Sequence, residues 1–328
     1  MILRILKTNQ AYHFILIPLM IAGLWFRSYI YPDFFPFFEG ENDMFLYQLV
    51  NRWFGQSALA GNLLSMVFVI VLAFLILKLN TEYAFIRVRT FLPSNIFVLI
   101  LGGLLTLHTL HPVYFALLFL LLCVDRIFQS YELEKFHASA FEAGFFIGLG
   151  SLFYFPLIFF FPIIWIGFLL INKRLQWRNF VLPLLGLFVP WLFTWSYYYL
   201  TNQLPVFVDT IILNVETDNR FFGGNRPLQM YLAYLVLVSL LGSLFLLNQY
   251  DEKKISTRKN FQIFFLILLT AVILLIFIPA VSQEIVIIMA LPLTYLISNY
   301  LIFMKRKVWG NLFIYLFIAL IIFMQLVH

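Results

Sequence analysis

The sequence predicts an all-α membrane protein, a polytopic bundle of about eleven transmembrane helices with little chain left over. Hydrophobic residues make up 63% of its 328 residues and charged residues only 11%, whereas a soluble domain carries roughly 25% charged residues. The apolar runs also lack the alternation that membrane strands require. Because a helix satisfies its own backbone hydrogen bonds in lipid, each long apolar run is predicted to be a helical span.

The positions of the basic residues predict the orientation. Seventeen of the twenty-one Lys and Arg residues fall in six short clusters between the apolar runs. Such clusters are typical of cytoplasmic loops, so the first cluster, Arg4 and Lys7, puts the N-terminus in the cytoplasm. The basic residues left on the outside are Arg27, Arg52, Arg220 and Arg226.

Each apolar run is assigned one span, ended by basic residues on the inside and by polar or proline-containing segments on the outside. In chain order the predicted spans cover residues 11–31, 58–79, 91–107, 112–128, 138–152, 155–171, 180–200, 228–247, 261–278, 284–303 and the run that ends at 328. The connections among spans three to six are short enough to be re-entrant, so their pairing is left open. Gly144, Gly148 and Gly150 in the fifth span predict close helix packing.

The whole chain, residues 1–328, is expected to form one integral membrane domain. The formal charge of +6 indicates attraction to anionic lipid at the cytoplasmic surface. Nucleic acid is not an expected partner, because no basic patch is interleaved with soluble aromatic residues. The lipid bilayer is therefore the partner that the composition indicates.

The first outside loop, residues 32–57, is unusually acidic. Asp33, Glu39, Glu41 and Asp43 lie within eleven residues. The last three are spaced so that two or three can converge on one divalent cation, Mg²⁺ or Mn²⁺, or on one acceptor hydroxyl. A merely solvated loop explains the same residues about equally well.

The second long outside loop carries two arginines, Arg220 and Arg226, on the side of the membrane where cations are disfavoured. A guanidinium binds phosphate through two hydrogen bonds, and Gly223-Gly224 permits close backbone approach. The pair is a candidate grip for a lipid pyrophosphate. Local pairing of Arg220 with Glu216 or Asp218 is the alternative. The apolar stretch 206–215 predicts an interfacial helix.

Several other polar residues have two interpretations. Arg27 beside the acidic loop either contacts phosphate or forms a structural bridge to Asp33 or Asp43. His111 precedes Pro112 and either caps a turn or hydrogen-bonds a sugar or phosphate. Glu284 opens the tenth span near the outer face and is a candidate member of the same site, because ionisable residues in membranes are usually functional.

One resemblance extends over about residues 11–200. An acidic motif after the first span, followed by Tyr47 and the amphipathic stretch Phe45–Gly55, resembles the polytopic GT-C glycosyltransferases. The His111-Pro112 turn and the Gly-rich and Phe-rich helices that follow are similar to that superfamily's core. The chain differs in having Glu41-Asn42-Asp43 in place of adjacent acids. It also resembles eleven-span membrane proteins of Bacteroidetes-type bacteria.

The resemblance implies a GT-C-like core with a C-terminal helical part over residues 201–328. It implies an enzyme of the bacterial inner membrane that takes a sugar from a polyprenyl-phosphate carrier at the outer face. Glu41 or Asp43 would be the catalytic base, and Glu39 would complete a metal site with them. The candidates for contacting the lipid phosphate or sugar are Arg27, His111, Arg220 and Arg226. A non-catalytic subunit of a cell-envelope complex and a transporter or flippase of lipid-linked intermediates remain the alternatives.

Overall fold

The computed structural model describes residues 2–33, 35–38, 40–55, 57–130, 136–171, 177–217, 226–249, 253–304 and 307–327. This part of the chain is all-helical and contains no strand. Its helices are α1 (Ile2–Leu6), α2 (His13–Leu24), α3 (Phe26–Ile30), α4 (Tyr47–Phe54), α5 (Ala58–Tyr83), α6 (Leu92–Gly102), α7 (Pro112–Gln129), α8 (Phe136–Ser151), α9 (Pro162–Ile171), α10 (Arg178–Leu200), α11 (Leu204–Glu216), α12 (Arg226–Asn248), α13 (Ile255–Phe277), α14 (Ile285–Phe303) and α15 (Lys307–Val327). Short 3₁₀ turns cover Glu41–Asp43, Leu105–His108 and Phe155–Phe160.

Seven of the described helices are long and apolar enough to cross a membrane: α5, α7, α10, α12, α13, α14 and α15. Three apolar segments are shorter, namely α2, α6 and Phe155–Ile171. The prediction of an all-helical protein with several helices able to span a membrane is confirmed at this level. The first predicted span is divided at Trp25 into α2 and α3, and the third ends as a helix at Gly102.

The bundle is built around α14. Along its apolar, membrane-length stretch, 89% of the residues of α14 are buried inside the protein, compared with 22% for α10. Helix α14 packs against α6, α7, α12 and α13, and every residue of α6 is buried. Helices that are surrounded by other helices need no polar face, which explains why both are mainly apolar on every side. The outer helices expose apolar side chains on the surface of the bundle.

Close packing of α8 against α10 depends on glycine. A Cβ added to Gly144 would lie 1.9 Å from the backbone oxygen of Pro183. One added to Gly186 would lie 2.2 Å from the backbone oxygen of Phe141. Small residues let membrane helices approach until their backbones touch, so the glycine-rich fifth span packs as predicted.

Segments predicted to lie on the same side of the membrane contact each other. On the predicted inside, the Lys7 ammonium donates to the Ile302 carbonyl at 3.2 Å and Arg126 pairs with Glu142 at 2.9 Å. On the predicted outside, the Asn214 amide donates to the Gly40 carbonyl at 3.4 Å. The two long loops predicted to lie outside therefore meet at one end of the bundle.

We expect Gly144→Ala to lower the free energy of unfolding by about 1–3 kcal/mol, because the added methyl forces α8 and α10 apart. Thermal unfolding of the purified protein in detergent measures the effect. Gly23→Ala in α2 is the matched control, since nothing lies within 4 Å of its added Cβ. Equal stability of the two variants would show that the α8–α10 contact contributes little.

Candidate functional site

The acidic loop folds onto the end of the bundle that is predicted to lie outside. Gly40 has a φ of 96°, a left-handed conformation that glycine adopts without strain. The chain turns there and enters the 3₁₀ turn at Glu41, whose side chain is only 2% exposed. Asp43, two residues later, is exposed. The loop thus directs one of its acids into the protein and leaves another in solvent.

Glu41 meets His111 inside the protein. Its Oε1 lies 2.8 Å from His111 Nδ1, and its Oε2 accepts from the Phe37 backbone N–H at 2.7 Å. The other imidazole nitrogen, Nε2, lies 2.8 Å from the Thr106 carbonyl oxygen and 2.8 Å from the Thr109 hydroxyl. Because a carbonyl and a carboxylate both only accept, the two ring nitrogens both donate. The geometry is that of an imidazolium paired with a carboxylate.

The electrostatics agree with this assignment. Burial alone lowers the pKa of His111, but the charge of Glu41, its hydrogen bond and the Thr106 carbonyl outweigh burial and raise the pKa above its ordinary value. A carboxylate hydrogen-bonded to an imidazole favours the protonated ring. The sequence places His111 well for this role, since a residue before proline adopts extended backbone and here has a φ of −118°.

A second buried acid, Glu284, lies just before α14 and is 0% exposed. Its carboxylate accepts from the backbone N–H and the hydroxyl of Ser282, each at 2.9 Å, and from the Tyr154 hydroxyl at 3.2 Å. Burial, and next the charge of Glu41, raise the pKa of Glu284 to about 7. Glu284 therefore holds its proton to a higher pH than an exposed carboxyl does.

Thr106 links the surroundings of the two acids. Its carbonyl accepts from His111, and its hydroxyl donates at 3.1 Å to Oε1 of Gln283, the residue before Glu284 in the chain. We call the buried set Glu41, His111, Thr106, Tyr154 and Glu284 the acid–imidazole cluster. No feature of the sequence marks Tyr154 or Thr106 as members of a site. The Ser282-Gln283-Glu284 run does stand out, because it is polar and lies between two apolar helices.

A separate polar cluster surrounds His108. Its ring stacks on Trp25 with centroids 3.9 Å apart, and its Nδ1 lies 2.8 Å from the Ser28 hydroxyl. Burial lowers the pKa of His108 to about 3, so this ring is neutral. His108 and His111, three residues apart, therefore differ in charge and do not share a site.

Two adjoining cavities lie beneath the acidic loop. The first, here called the Glu41 groove, encloses about 730 Å³ including solvent at its mouth. Its lining residues are Phe35, Pro36, Glu41, Asn42, Tyr47, Val50, Asn51, Phe54, Gly55, Ala58, Gly61, Thr109, Leu110 and His111. The second, here called the Arg27 chamber, encloses about 860 Å³ on the same basis. Its lining residues are Arg27, Ser28, Tyr31, Asp33, Phe35, Asn62, Leu105, Thr106 and Thr109.

Residues 44–328 match the model of a family of unknown function, DUF6427. The chain belongs to this family. No curated protein and no solved structure matches it. The match to DUF6427 includes His111 and Glu284 but begins three residues after Glu41.

The predicted site residues divide into three groups. Glu41 and His111 are brought together, and Arg27 lines the chamber beside them. Asp43 and Arg226 are exposed and line neither cavity. Glu39 and Arg220 lie outside the described residues.

The structural bridges considered for Arg27 are not formed within the described residues. The ion pairs found there join Glu41 to His111 and Arg126 to Glu142. Arg27 is half-buried and its guanidinium forms no ion pair with Asp33 or Asp43. It is therefore available to an anion that enters the chamber.

The described residues do not fit a divalent cation at Glu41. Among them no group of three His, Cys, Asp or Glu side chains is close enough to hold a metal. The two oxygens of Glu41 already accept from an imidazolium and a backbone N–H, and a neighbouring imidazolium repels a cation.

The raised pKa of Glu284 predicts that stability falls as pH rises. The folded protein holds the proton more tightly than the unfolded chain, so the contribution is complete below about pH 4.5 and lost as pH passes through about 7. The change is on the order of 3 kcal/mol. His111 acts in the same direction.

We expect Glu284→Gln to flatten the decrease in stability between pH 5 and pH 8, although His111 retains part of it. Urea unfolding of the purified protein in detergent at several pH values measures the slope. The control is Glu142→Gln, at a partly exposed carboxylate at the other end of the bundle. An unchanged slope in Glu284→Gln would contradict the prediction.

Proposed function

We propose that the chain is a GT-C-like membrane glycosyltransferase that takes a sugar from a polyprenyl-phosphate carrier at the outer face of the bacterial cytoplasmic membrane. The observation that carries the proposal is the buried Glu41–His111 pair on the wall of an open groove. A carboxylate removed from bulk water and turned toward a cavity has the chemistry of a general base.

In the proposed reaction Glu41 accepts the proton of an acceptor hydroxyl bound in the Glu41 groove. The hydroxyl oxygen bonds to the anomeric carbon of the sugar while the bond from that carbon to the carrier phosphate breaks. The polyprenyl phosphate leaves with the electron pair. Each oxygen of Glu41 keeps a lone pair beyond the hydrogen bond it already accepts. A base of this kind contributes about 10²–10⁴-fold to the rate.

His111 would orient Glu41 and compensate its charge without reacting itself. The imidazolium is fixed by the Thr106 carbonyl on its far side, so the carboxylate meets it in one geometry. Preorganised charges of this kind need no rearrangement when the reaction occurs. Because His111 fixes both the geometry and the charge of Glu41, we expect the two residues to act together.

The leaving phosphate requires a cation, and Arg27 is the described candidate that lines a cavity adjoining the Glu41 groove. The Arg27 chamber shares Phe35 and Thr109 with the Glu41 groove, so a phosphate held there would be adjacent to the base. A guanidinium binds phosphate with two parallel hydrogen bonds. The phosphate roles predicted for Arg220 and Arg226 stay predictions.

The carrier's chain has a route to the groove along the membrane surface. Val50, Phe54, Ala58 and Leu110 give the Glu41 groove an apolar wall. Helix α4 also exposes Trp53 at 82%. An amphipathic helix with an exposed indole is typical of the membrane interface, which supports the entry of a lipid substrate from the bilayer.

We further propose that about eleven segments cross the membrane, with the N-terminus in the cytoplasm. The alternating basic clusters support this count, and α2, α6, α8 and Phe155–Ile171 would be the spans beyond the seven long helices. A divalent cation enters the proposal only through Glu39, and no step of the reaction depends on it.

Two alternative functions, a transporter and a non-catalytic subunit, predict different effects of substitutions at Glu284 and Glu41. A transporter of lipid-linked intermediates is favoured by Glu284, an acid buried at the start of the central helix α14, which is a position typical of proton-coupled carriers. In that case Glu284→Gln would stop transport while sugar transfer is unaffected. A non-catalytic subunit would tolerate loss of Glu41.

We expect Glu41→Gln to reduce sugar transfer by about 10²-fold or more, because the amide cannot accept the proton. Incorporation of labelled sugar into lipid-linked and envelope glycans measures transfer in cells whose only copy is the variant. Asp43→Asn is the matched control and should retain activity, since Asp43 is exposed and outside both cavities. Normal incorporation by Glu41→Gln, at equal protein in the membrane, would reject the enzyme.

A further inference from the structure

The Arg27 chamber carries charges of both signs. Arg27 is half-buried in its wall, and Asp33 is exposed at its mouth. They belong to the same cavity, yet no ion pair joins them among the described residues. Arg27 is a cation on the side of the membrane predicted to disfavour it, and Asp33 in the same cavity does not neutralise it, which favours a ligand that contacts both.

The floor of the chamber adds an acceptor without a donor. Asn62 is fully buried, and its amide N–H donates to the Ser28 carbonyl at 2.7 Å. This bond fixes the orientation of the amide and leaves Oδ1 without a hydrogen-bond partner among the described residues. Buried polar atoms are nearly always hydrogen-bonded, so Asn62 Oδ1 is prepared for a donor from a molecule in the chamber.

These three groups define the ligand's chemistry. Arg27 supplies donors for a phosphate, whereas Asp33 and Asn62 Oδ1 supply acceptors for an N–H group. The cavity opens beside α3, where Phe26, Ile30 and the following Tyr31 are exposed at 53% or more. Apolar side chains at this position favour a ligand that reaches the chamber from the bilayer.

We propose that the Arg27 chamber binds a zwitterionic headgroup, with its phosphate on Arg27 and its primary ammonium between Asp33 and Asn62 Oδ1. Two sources carry this chemistry: an ethanolamine phospholipid and an amino sugar phosphate. This is the chamber that the proposed function assigns to the carrier phosphate, but the headgroup proposal requires binding alone and is tested without sugar transfer.

The test uses the purified full-length protein in detergent with equal amounts of phosphatidylethanolamine, phosphatidylglycerol and phosphatidylcholine of matched acyl chains. Lipid retained after gel filtration is quantified by mass spectrometry. We expect the ethanolamine lipid to exceed the others about 10-fold, since glycerol lacks the ammonium and choline lacks its N–H donors. Equal retention of the three lipids, or no retention, would overturn the proposal.

Variants locate the site. Arg27→Gln should lower retention of the ethanolamine lipid about 10-fold, and Asn62→Leu should remove its advantage over phosphatidylglycerol. Arg52→Gln is the matched control: it is also an outside arginine, exposed and lining neither cavity. Retention unchanged by Arg27→Gln would overturn the site.

Asp33→Asn keeps the test valid if Asn62→Leu fails to fold, because Asp33 is exposed. It should abolish the preference for ethanolamine while phosphatidylglycerol still binds; a preserved preference would overturn the proposal. Glucosamine 1-phosphate, added as a soluble competitor, identifies the source. Displacement of the lipid assigns the chamber to amino sugar phosphates, and retention of the lipid assigns it to the phospholipid.

Discussion

The contact between Glu41 and His111 fixes the acidic loop to the helical core across 70 residues of sequence. Both side chains are almost fully buried, and removing one partner of a buried pair typically costs about 3–5 kcal/mol. The cost of burial is offset here because the Phe37 N–H and the Thr106 carbonyl complete the hydrogen bonding. The position of the loop, and with it the shape of both cavities, follows from this pair.

The same pair decides the charge of its surroundings. With His111 as an imidazolium and Glu41 as a carboxylate, the two form an ion pair, and Glu284 is the other acid of the cluster. Ionising Glu284 would bury a further negative charge near Glu41, so burial and next the charge of Glu41 raise its pKa to about 7, against the opposing hydrogen bonds of Ser282. Glu284 therefore holds its proton to a higher pH than an exposed carboxyl does, and it does not line the Glu41 groove.

How far the sequence predicts the fold depends on how each helix is held. Helices that face lipid, such as α5 and α12, begin within two residues of their predicted positions, because hydropathy and basic clusters alone determine them. The third predicted span ends five residues early, at Gly102. The side chain of Leu24 fills the space beside that glycine, and contacts between distant segments are not visible in a single sequence.

The site shows the same division more sharply. Glu41 and Asp43 are acids two positions apart in one loop, and residue type alone makes them equally good candidates for the catalytic base. The left-handed turn at Gly40 and the 3₁₀ turn that follows bury the first and expose the second. His111 was a candidate because of its turn, but its partner lies in another loop, and Thr106 and Tyr154 carry no sequence signal. Backbone conformation over three residues therefore decides which acid faces the groove, and only the fold reveals it.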